Sequence, residues 1–323
     1  IRLNTDSQKL EFYAQDRWFE MATESISLDG GNGRGVAAGG NNPGQTDTIQ
    51  YITIPTQGNA IDFGNLTAPT QGSLAATGSS TRGLIGGGQR FPAQVNVIDL
   101  ITFSSTGNAI DFADLTVARG QTSGSGSQTR GIFGGGQPGP SVVDTIDYVT
   151  IASTGTNAVD FGNLTSTRRM LTAASSPTRS LFFAGLNPSS TNVIDYITIS
   201  TTGNATDFGD VSAAMYSSGA VSSKTRAVMM GGYVAPAMIN TMEYVTIATR
   251  GNAVDFGDQT KVTNLAQHAS DSIRGVRMGG IGGDVNAEMA YINIATQGDA
   301  VKFGDLQAWA FEGTGCSNGH GGL

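Results

Sequence analysis

Asn59-Ala60-Ile61-Asp62-Phe63-Gly64-Asn65-Leu66-Thr67 returns, lightly edited, to give six copies along the chain. Its phenylalanine stands at Phe63, Phe112, Phe161, Phe208, Phe256 and Phe303, so successive copies lie 49, 49, 47, 48 and 47 residues apart. A near-constant period of this size marks an array of one supersecondary unit, which stacks on its neighbours to bury what it cannot bury alone.

One unit, residues 118–165, divides into four strand-like pieces. Residues 118–127 are small and polar, and 130–136 are an apolar burst closed by glycines. Residues 145–153 alternate as Ile-Asp-Tyr-Val-Thr-Ile, and 157–165 carry the motif. Alternation with period 2 predicts strands with a buried face. Thr106-Gly107 and Thr202-Gly203, between the third and fourth pieces, read as tight hairpin turns. Four antiparallel strands per repeat predict the blade of an all-β propeller, and six phenylalanine anchors predict six blades.

The first-strand pattern occurs once more, at residues 308–317. A closed ring shares one blade between the two ends of the chain, and this protects the sheet edges. Inner strands converge on the axis and need small side chains, as in Ala75-Ala76-Thr77-Gly78. Gly313-Thr314-Gly315-Cys316 fits, whereas Ile26-Ser27-Leu28-Asp29 is bulkier. Residues 312–317 are therefore expected to supply the inner strand of the blade built from residues 33–67. The predicted organisation is an N-terminal hairpin segment, residues 1–29, and a six-bladed propeller, residues 30–323. The hairpin strands are Lys9-Leu10-Glu11-Phe12-Tyr13 and Arg17-Trp18-Phe19-Glu20-Met21.

Composition narrows the function. Glycine is 46 of 323 residues and charged residues are 14%, a mix suited to short strands and tight turns rather than helices or disorder. A net charge of −8 with no basic run argues against a nucleic-acid partner. The longest apolar runs, such as residues 180–186, are too short for membrane insertion by a helix. Cys316 is the only cysteine, and His268 and His320 are the only histidines. No disulfide within the chain, metal site, cofactor or catalytic triad is expected, and no catalytic residue is assigned. Glu24, Asp29, Asp284 and Glu288, the acids outside the repeat, form no evident pair for glycoside hydrolysis.

Residues present once per blade are expected to hold the blade. Asp62, Asp111, Asp160, Asp207 and Asp255 precede the phenylalanine, with Lys302 in the sixth copy. Arg34, Arg82, Arg130, Arg179, Arg226 and Arg274 open the second strand. The arginines are read as bonding carboxylates or turn carbonyls, and the aspartates as bonding amides of the Phe-Gly-Asp bend. The connections between second and third strands differ from blade to blade, whereas those between third and fourth are nearly identical. Variable loops on a rigid scaffold are where binding resides, with drift in unconstrained loops as the alternative. Arg90, Phe91 and Tyr233 in these loops are the candidate contact residues.

Two resemblances follow from these landmarks. The blades resemble kelch repeats in order: a small-residue strand, a Gly-Gly doublet (Gly39-Gly40, Gly135-Gly136, Gly279-Gly280), then an aromatic in each of the last two strands (Tyr148, Phe161). They depart from kelch in carrying phenylalanine where tryptophan is usual. Ile-Arg-Leu-Asn-Thr-Asp-Ser-Gln-Lys-Leu-Glu-Phe-Tyr at the start is similar to a short module of tailed-phage fibres. The repeat, with its ending Cys-Ser-Asn-Gly-His-Gly-Gly-Leu, looks like kelch-like proteins of marine phages. That resemblance implies a non-enzymatic virion appendage, a tail fibre or related part, that meets host cell-surface glycan or protein, or other virion proteins. It also implies a location on the extracellular particle and possible homo-oligomerisation through the N-terminal segment. The alternatives are a glycan-processing enzyme and a kelch-type protein–protein adaptor.

Overall fold

The alternating segments become strands, and the strands become six four-stranded antiparallel sheets. The computed structural model describes residues 33–282 and 287–323, together with the strands Arg2–Asn4, Lys9–Ala14, Arg17–Glu20 and Asp284–Val285. Among the described residues there is no α-helix. From the axis outward, blade 2 is Ala75–Gly78, Arg82–Gly86, Val97–Thr102 and Ile110–Asp114. Blades 3 to 6 follow with inner strands Ser123–Gly126, Thr172–Ser175, Gly219–Ser222 and Gln267–Ser270.

Blade 1 closes the ring. Its inner strand is Thr314–Ser317, paired antiparallel with Arg34–Ala38, and Thr48–Thr53 and Ile61–Asn65 complete it. This is the closure expected from the small residues of the C-terminal copy. The competing candidate, Ile26-Ser27-Leu28-Asp29, and the boundary at residue 29 lie outside the described residues. The N-terminal strands form a three-stranded antiparallel sheet, one strand more than the predicted hairpin. The extra strand, Arg2–Asn4, is too short to show an alternating pattern in the sequence.

The apolar core lies between blades. Six buried clusters occur, each joining residues of two adjacent blades: Val36, Ile49 and Phe63 of blade 1, for instance, meet Ala76, Ile85 and Phe103 of blade 2. A sheet buried on both faces in this way carries apolar residues at most positions, which is why Arg34–Ala38 is buried almost throughout. Within five blades the third-strand tyrosine meets the motif phenylalanine edge to face, as Tyr148 and Phe161 do at 5.9 Å and 85°. Leu100 takes the tyrosine's place in blade 2.

The turns between third and fourth strands are not tight hairpins. In blade 2 the connection runs from residue 103 to 109 and reaches back to the outer strand of blade 1. There Gly107 N–H donates to Phe63 O at 2.7 Å, Ala109 N–H donates to Asn65 O at 2.8 Å, and Asn108 Oδ1 accepts from Asn65 N–H at 3.1 Å. All six interfaces repeat this pattern, the last with Asn59 of blade 1 on Asp305 of blade 6. An outer strand is a bare edge with unpaired amides and carbonyls. The first half of each motif, Gly-Asn-Ala in most copies and Gly298-Asp299-Ala300 in blade 6, covers that edge of the preceding blade, while the second half, Ile-Asp-Phe-Gly-Asn in blade 1, builds its own.

Gly64 shows how tight the seam is. Its φ is +144°, and a Cβ there would overlap the carbonyl of Gly107. Gly64→Ala is therefore expected to destabilise by more than about 2 kcal/mol, through strain and a split seam. Urea denaturation monitored by intrinsic fluorescence checks this. Gly58→Ala has open space around it and serves as the comparison.

Candidate functional site

Strand direction alternates across a blade, so the connections fall on two opposite faces. Turns between first and second strands share one face with the third-to-fourth connections. The variable second-to-third loops share the other face with the links between blades.

The first face is uniform. Arg34, Arg82, Arg130, Arg179, Arg226 and Arg274 each donate from Nη1 to a main-chain carbonyl of the next blade, namely Phe103, Ile151, Ile199, Ile247, Ile294 and Ile54. Five of these guanidinium groups also lie over the tyrosine of their own blade, at 4.2 to 5.0 Å from the ring centre. The chain's last residues cover the axis on this face. His320 Nε2 bonds Gly78 O at 2.8 Å, its Nδ1 accepts from Gly322 N–H at 3.1 Å, and Gly321 and Gly322 sit among main-chain atoms of Gly126, Ser175 and Ser223.

Asp62, Asp111, Asp160, Asp207 and Asp255 are exposed on the outer strands, as is Lys302. The amide tie assigned to them from sequence is made by the motif's asparagine instead, three residues earlier in the chain. An outward-pointing position on an edge strand cannot reach the seam, whereas the asparagine enters it.

A buried acid does stand elsewhere, before the third-strand tyrosine. Asp147 is fully buried and accepts from Thr116 N–H at 3.1 Å, Thr116 Oγ1 at 2.8 Å and Arg119 Nη1 at 2.9 Å. Asp195 has the same set from Thr165 and Arg168. In blade 2 the acid is Asp99, held by Thr67 and by Arg90 at 3.4 Å. Burial raises the Asp99 carboxyl above its usual range, against the bonds from Thr67 and the charge of Arg90. These clamps stitch each inter-blade link onto the following blade.

The second face holds the sequence's candidates. Arg90 belongs to the clamp just described: its Nε donates to Thr70 Oγ1 at 2.9 Å and its Nη2 to Thr67 Oγ1 at 2.9 Å. Its guanidinium is bonded to the scaffold, with 24% of the side chain left exposed. Phe91 is 65% exposed. Tyr233 is half-buried against Tyr216, with ring centres 5.2 Å apart. Phe91 belongs to blade 2 and Tyr233 to blade 5, three blades apart in a ring of six, so the structure does not bring them together. A further aromatic pair was missed: Trp309 and Phe311 stack at 6.4 Å with planes 5° apart on the link from blade 6 to blade 1. They sit in the last copy of the first-strand pattern, at positions where no other copy has an aromatic pair, so the period gives no signal.

At the centre of this face is a belt. Ser73, Gln121, Met170, Ser217, Leu265 and Glu312 all have left-handed backbones, with φ between 50° and 60°. Their amides close a circle: Ser73 to Glu312 O, Glu312 to Leu265 O, Leu265 to Ser217 O, Ser217 to Met170 O, Met170 to Gln121 O, and Gln121 to Gly72 O, at 2.8 to 3.1 Å. Six non-glycine residues in this sparsely populated region carry strain that the closed circle maintains. Beneath the belt the axial channel widens to a cavity of about 100 Å³.

No protein-family model matches the chain, and no curated protein is similar to it. The arrangement itself therefore bears the functional argument. Among the described residues there is no group of three or more His, Cys, Asp or Glu placed to hold a metal, and no helix long and apolar enough to cross a membrane. Cys316 is buried between blades, and burial pushes its thiol up to about 12.

His268 projects into the channel. Desolvation, then the charge of Arg277, pushes it down to about 3, so it is neutral at physiological pH. The unfolded chain takes up this proton below its ordinary value of about 6.5. Stability therefore falls as pH drops from about 6.5 toward 3, by at most about 1.4 kcal/mol per pH unit. Comparing urea midpoints with His268→Gln isolates this: the wild type is expected to lose ground to the variant between pH 7 and pH 4. Asp99 and Glu312, both raised by burial, act in the opposite sense but equally in both proteins.

Proposed function

We propose that the chain is a structural particle protein, a kelch-like propeller of a phage tail appendage that presents its variable face to a host surface or to another virion protein. The observation that carries this reading is the asymmetry of the two faces. One is six times the same, with its arginines spent on main-chain carbonyls and its axis covered by the chain's own end. The other differs in every blade and exposes Phe91, with Trp309 and Phe311 stacked nearby on the link into blade 1. Aromatic side chains on rigid supports are the usual anchors of recognition surfaces and suit the apolar faces of sugar rings. The resemblance of the N-terminal segment to a fibre module gives such a propeller a means of attachment, and of homo-oligomerisation.

Antibody labelling of intact particles by electron microscopy tests this. Label at the tail periphery is the expected result. Protein found only free in host cytoplasm would remove the reading, and hydrolysis of a defined glycan by the purified propeller would replace it with an enzyme.

A further inference from the structure

The six inner strands place Ala76, Gly124, Ala173, Ala220, His268 and Gly315 at one level of the channel wall. Five carry one side-chain carbon or none, and the sixth carries an imidazole. The ring leans across to blade 5, where a Cβ on Gly219 would overlap it. A scaffold that only had to pack would keep the axis small, as five blades do.

The wall around the imidazole is polar but uncharged. No Asp, Glu, Lys or Arg lines the cavity, although Thr122, Thr172 and Thr314 do. Three groups in its lining have buried polar atoms without a protein partner: His268 Nε2, Gln267 Oε1 and Ser218 Oγ. Gln267 as a whole is 2% exposed. The other imidazole nitrogen is engaged by the Ala266 backbone, so Nε2 of the neutral ring presents a bare lone pair. Two of the three unpartnered atoms are thus pure acceptors, and leaving them unmet is unfavourable.

What satisfies such a wall is a neutral donor. An ammonium or an anion would be stripped of water with no opposite charge to meet it. A hydroxyl donates to Nε2 or Oε1 and accepts from Ser218. About 100 Å³ holds a small fragment of a few heavy atoms, with anything larger extending out through the belt. Met170 and Leu265 of the belt line the same cavity and offer apolar contact to a carbon skeleton.

We propose that the axial cavity beneath the belt binds a neutral polyhydroxylated ligand, one hydroxyl of which donates to His268 Nε2. The chemistry fits both a free polyol and the end of a neutral surface glycan. Only the second source rests on the attachment reading above.

The test uses the whole chain, glycerol and neutral hexoses as probes, and long-range nitrogen NMR of the imidazoles. His320 is the internal control, because both its nitrogens are already bonded. The expected result is a saturable shift of the His268 Nε2 signal with His320 unmoved. Calorimetry should show affinity at least about tenfold weaker in His268→Ala and in the milder Ser218→Ala, both checked for unchanged thermal unfolding. A His268 signal unmoved by every probe, with the cavity holding water only, overturns the proposal.

Adsorption of particles carrying His268→Ala separates the sources: loss identifies a glycan end, and unchanged adsorption with retained hexose binding in the wild type identifies a free polyol. Loss of adsorption in loop variants with an unmoved His268 would sink this site and leave the attachment reading standing.

Discussion

Removal of residues 314–323 is expected to cost more than about 5 kcal/mol and to take the propeller out of cooperative folding. Thr314–Ser317 is the inner strand of blade 1, in register from Thr314 opposite Ala38 to Ser317 opposite Gly35. Without it the second strand loses its inward pairing, and Val36, now fully buried, faces a gap in the ring wall. Cys316 leaves the cluster it shares with Val36, Ile49 and Phe63. Ser317 Oγ no longer bonds Ser270 O of blade 6, and Arg34 N–H loses Asn318 Oδ1 at 2.7 Å. The damage is not local, because blades 6 and 1 bury one apolar cluster between them. Circular dichroism melting and size-exclusion chromatography should show an early, broad transition and an expanded species. Removing only residues 320–323 should leave the ring closed and lower the melting temperature modestly, by the loss of the His320 bonds. A truncation at 314 that melts like the full chain would mean that the ring does not depend on this strand.

The second large effect belongs to the buried clamps. Asp195→Ala is expected to destabilise by about 3–5 kcal/mol, because it strands the Arg168 guanidinium, which is 1% exposed and whose Nε already lacks a partner. The sign and size come from the unpaired charge, not from the worth of the pair. Burial lowers the pKa of Arg168, and the charge of Asp195 opposes that shift. Arg168→Met should cost less than Asp195→Ala, since the carboxylate keeps both bonds from Thr165. Combining Arg168→Met with Asp195→Ala should cost less than the sum of the two, because the second change then strands no charge. A double-mutant cycle by urea denaturation measures this, and additivity of the two single changes would refute the coupling.

These clamps also show where sequence reading runs out. The blade count, the four strands per blade and the closing strand were legible because they rest on period and on side-chain size, which survive in every copy. The clamp occupies one place in space but is delivered from three places in the chain. Arg119 and Arg168 come from the links before blades 3 and 4, and Arg90 comes from the variable loop of blade 2. In blade 6, Arg277 of the second strand pairs with Glu288 at 3.0 Å beside Thr260, and Ala290 stands where blades 2 to 5 have an acid. Blades 5 and 1 use Glu243 and Gln50. The acid recurs every 48 residues from Asp99 to Glu243, but its cation has no fixed place in the repeat, so a periodic reading does not pair the two and leaves Arg90 looking like a free loop cation. The Asp before each phenylalanine had the opposite fate. It recurs in five of the six copies, with Lys302 in the sixth, but on the outward side of an edge strand, where a charge keeps the edge from pairing with other chains.

The candidate binding face was legible as a face and not as a site. Loop variability set one end of the ring apart from the other, and the belt lies at that end. The belt recurs once per blade, at Ser73, Gln121, Met170, Ser217, Leu265 and Glu312, but with side chains of no common chemistry, and its left-handed backbone leaves no mark in the residue types. The stacked Trp309 and Phe311 and the His268 imidazole each stand at a repeat position that carries other residue types in the other copies.

The most direct test of the account compares particle adsorption to host cells for two sets of variants. One set replaces Phe91 and Trp309 by serine on the variable face; the other replaces Ile61 and Ile110, 53% and 58% exposed on the outer edges, by serine. With both sets folded and incorporated equally, the account predicts that adsorption falls at least about tenfold for the first set and is unchanged for the second. Equal adsorption by both sets, at wild-type level, would contradict it.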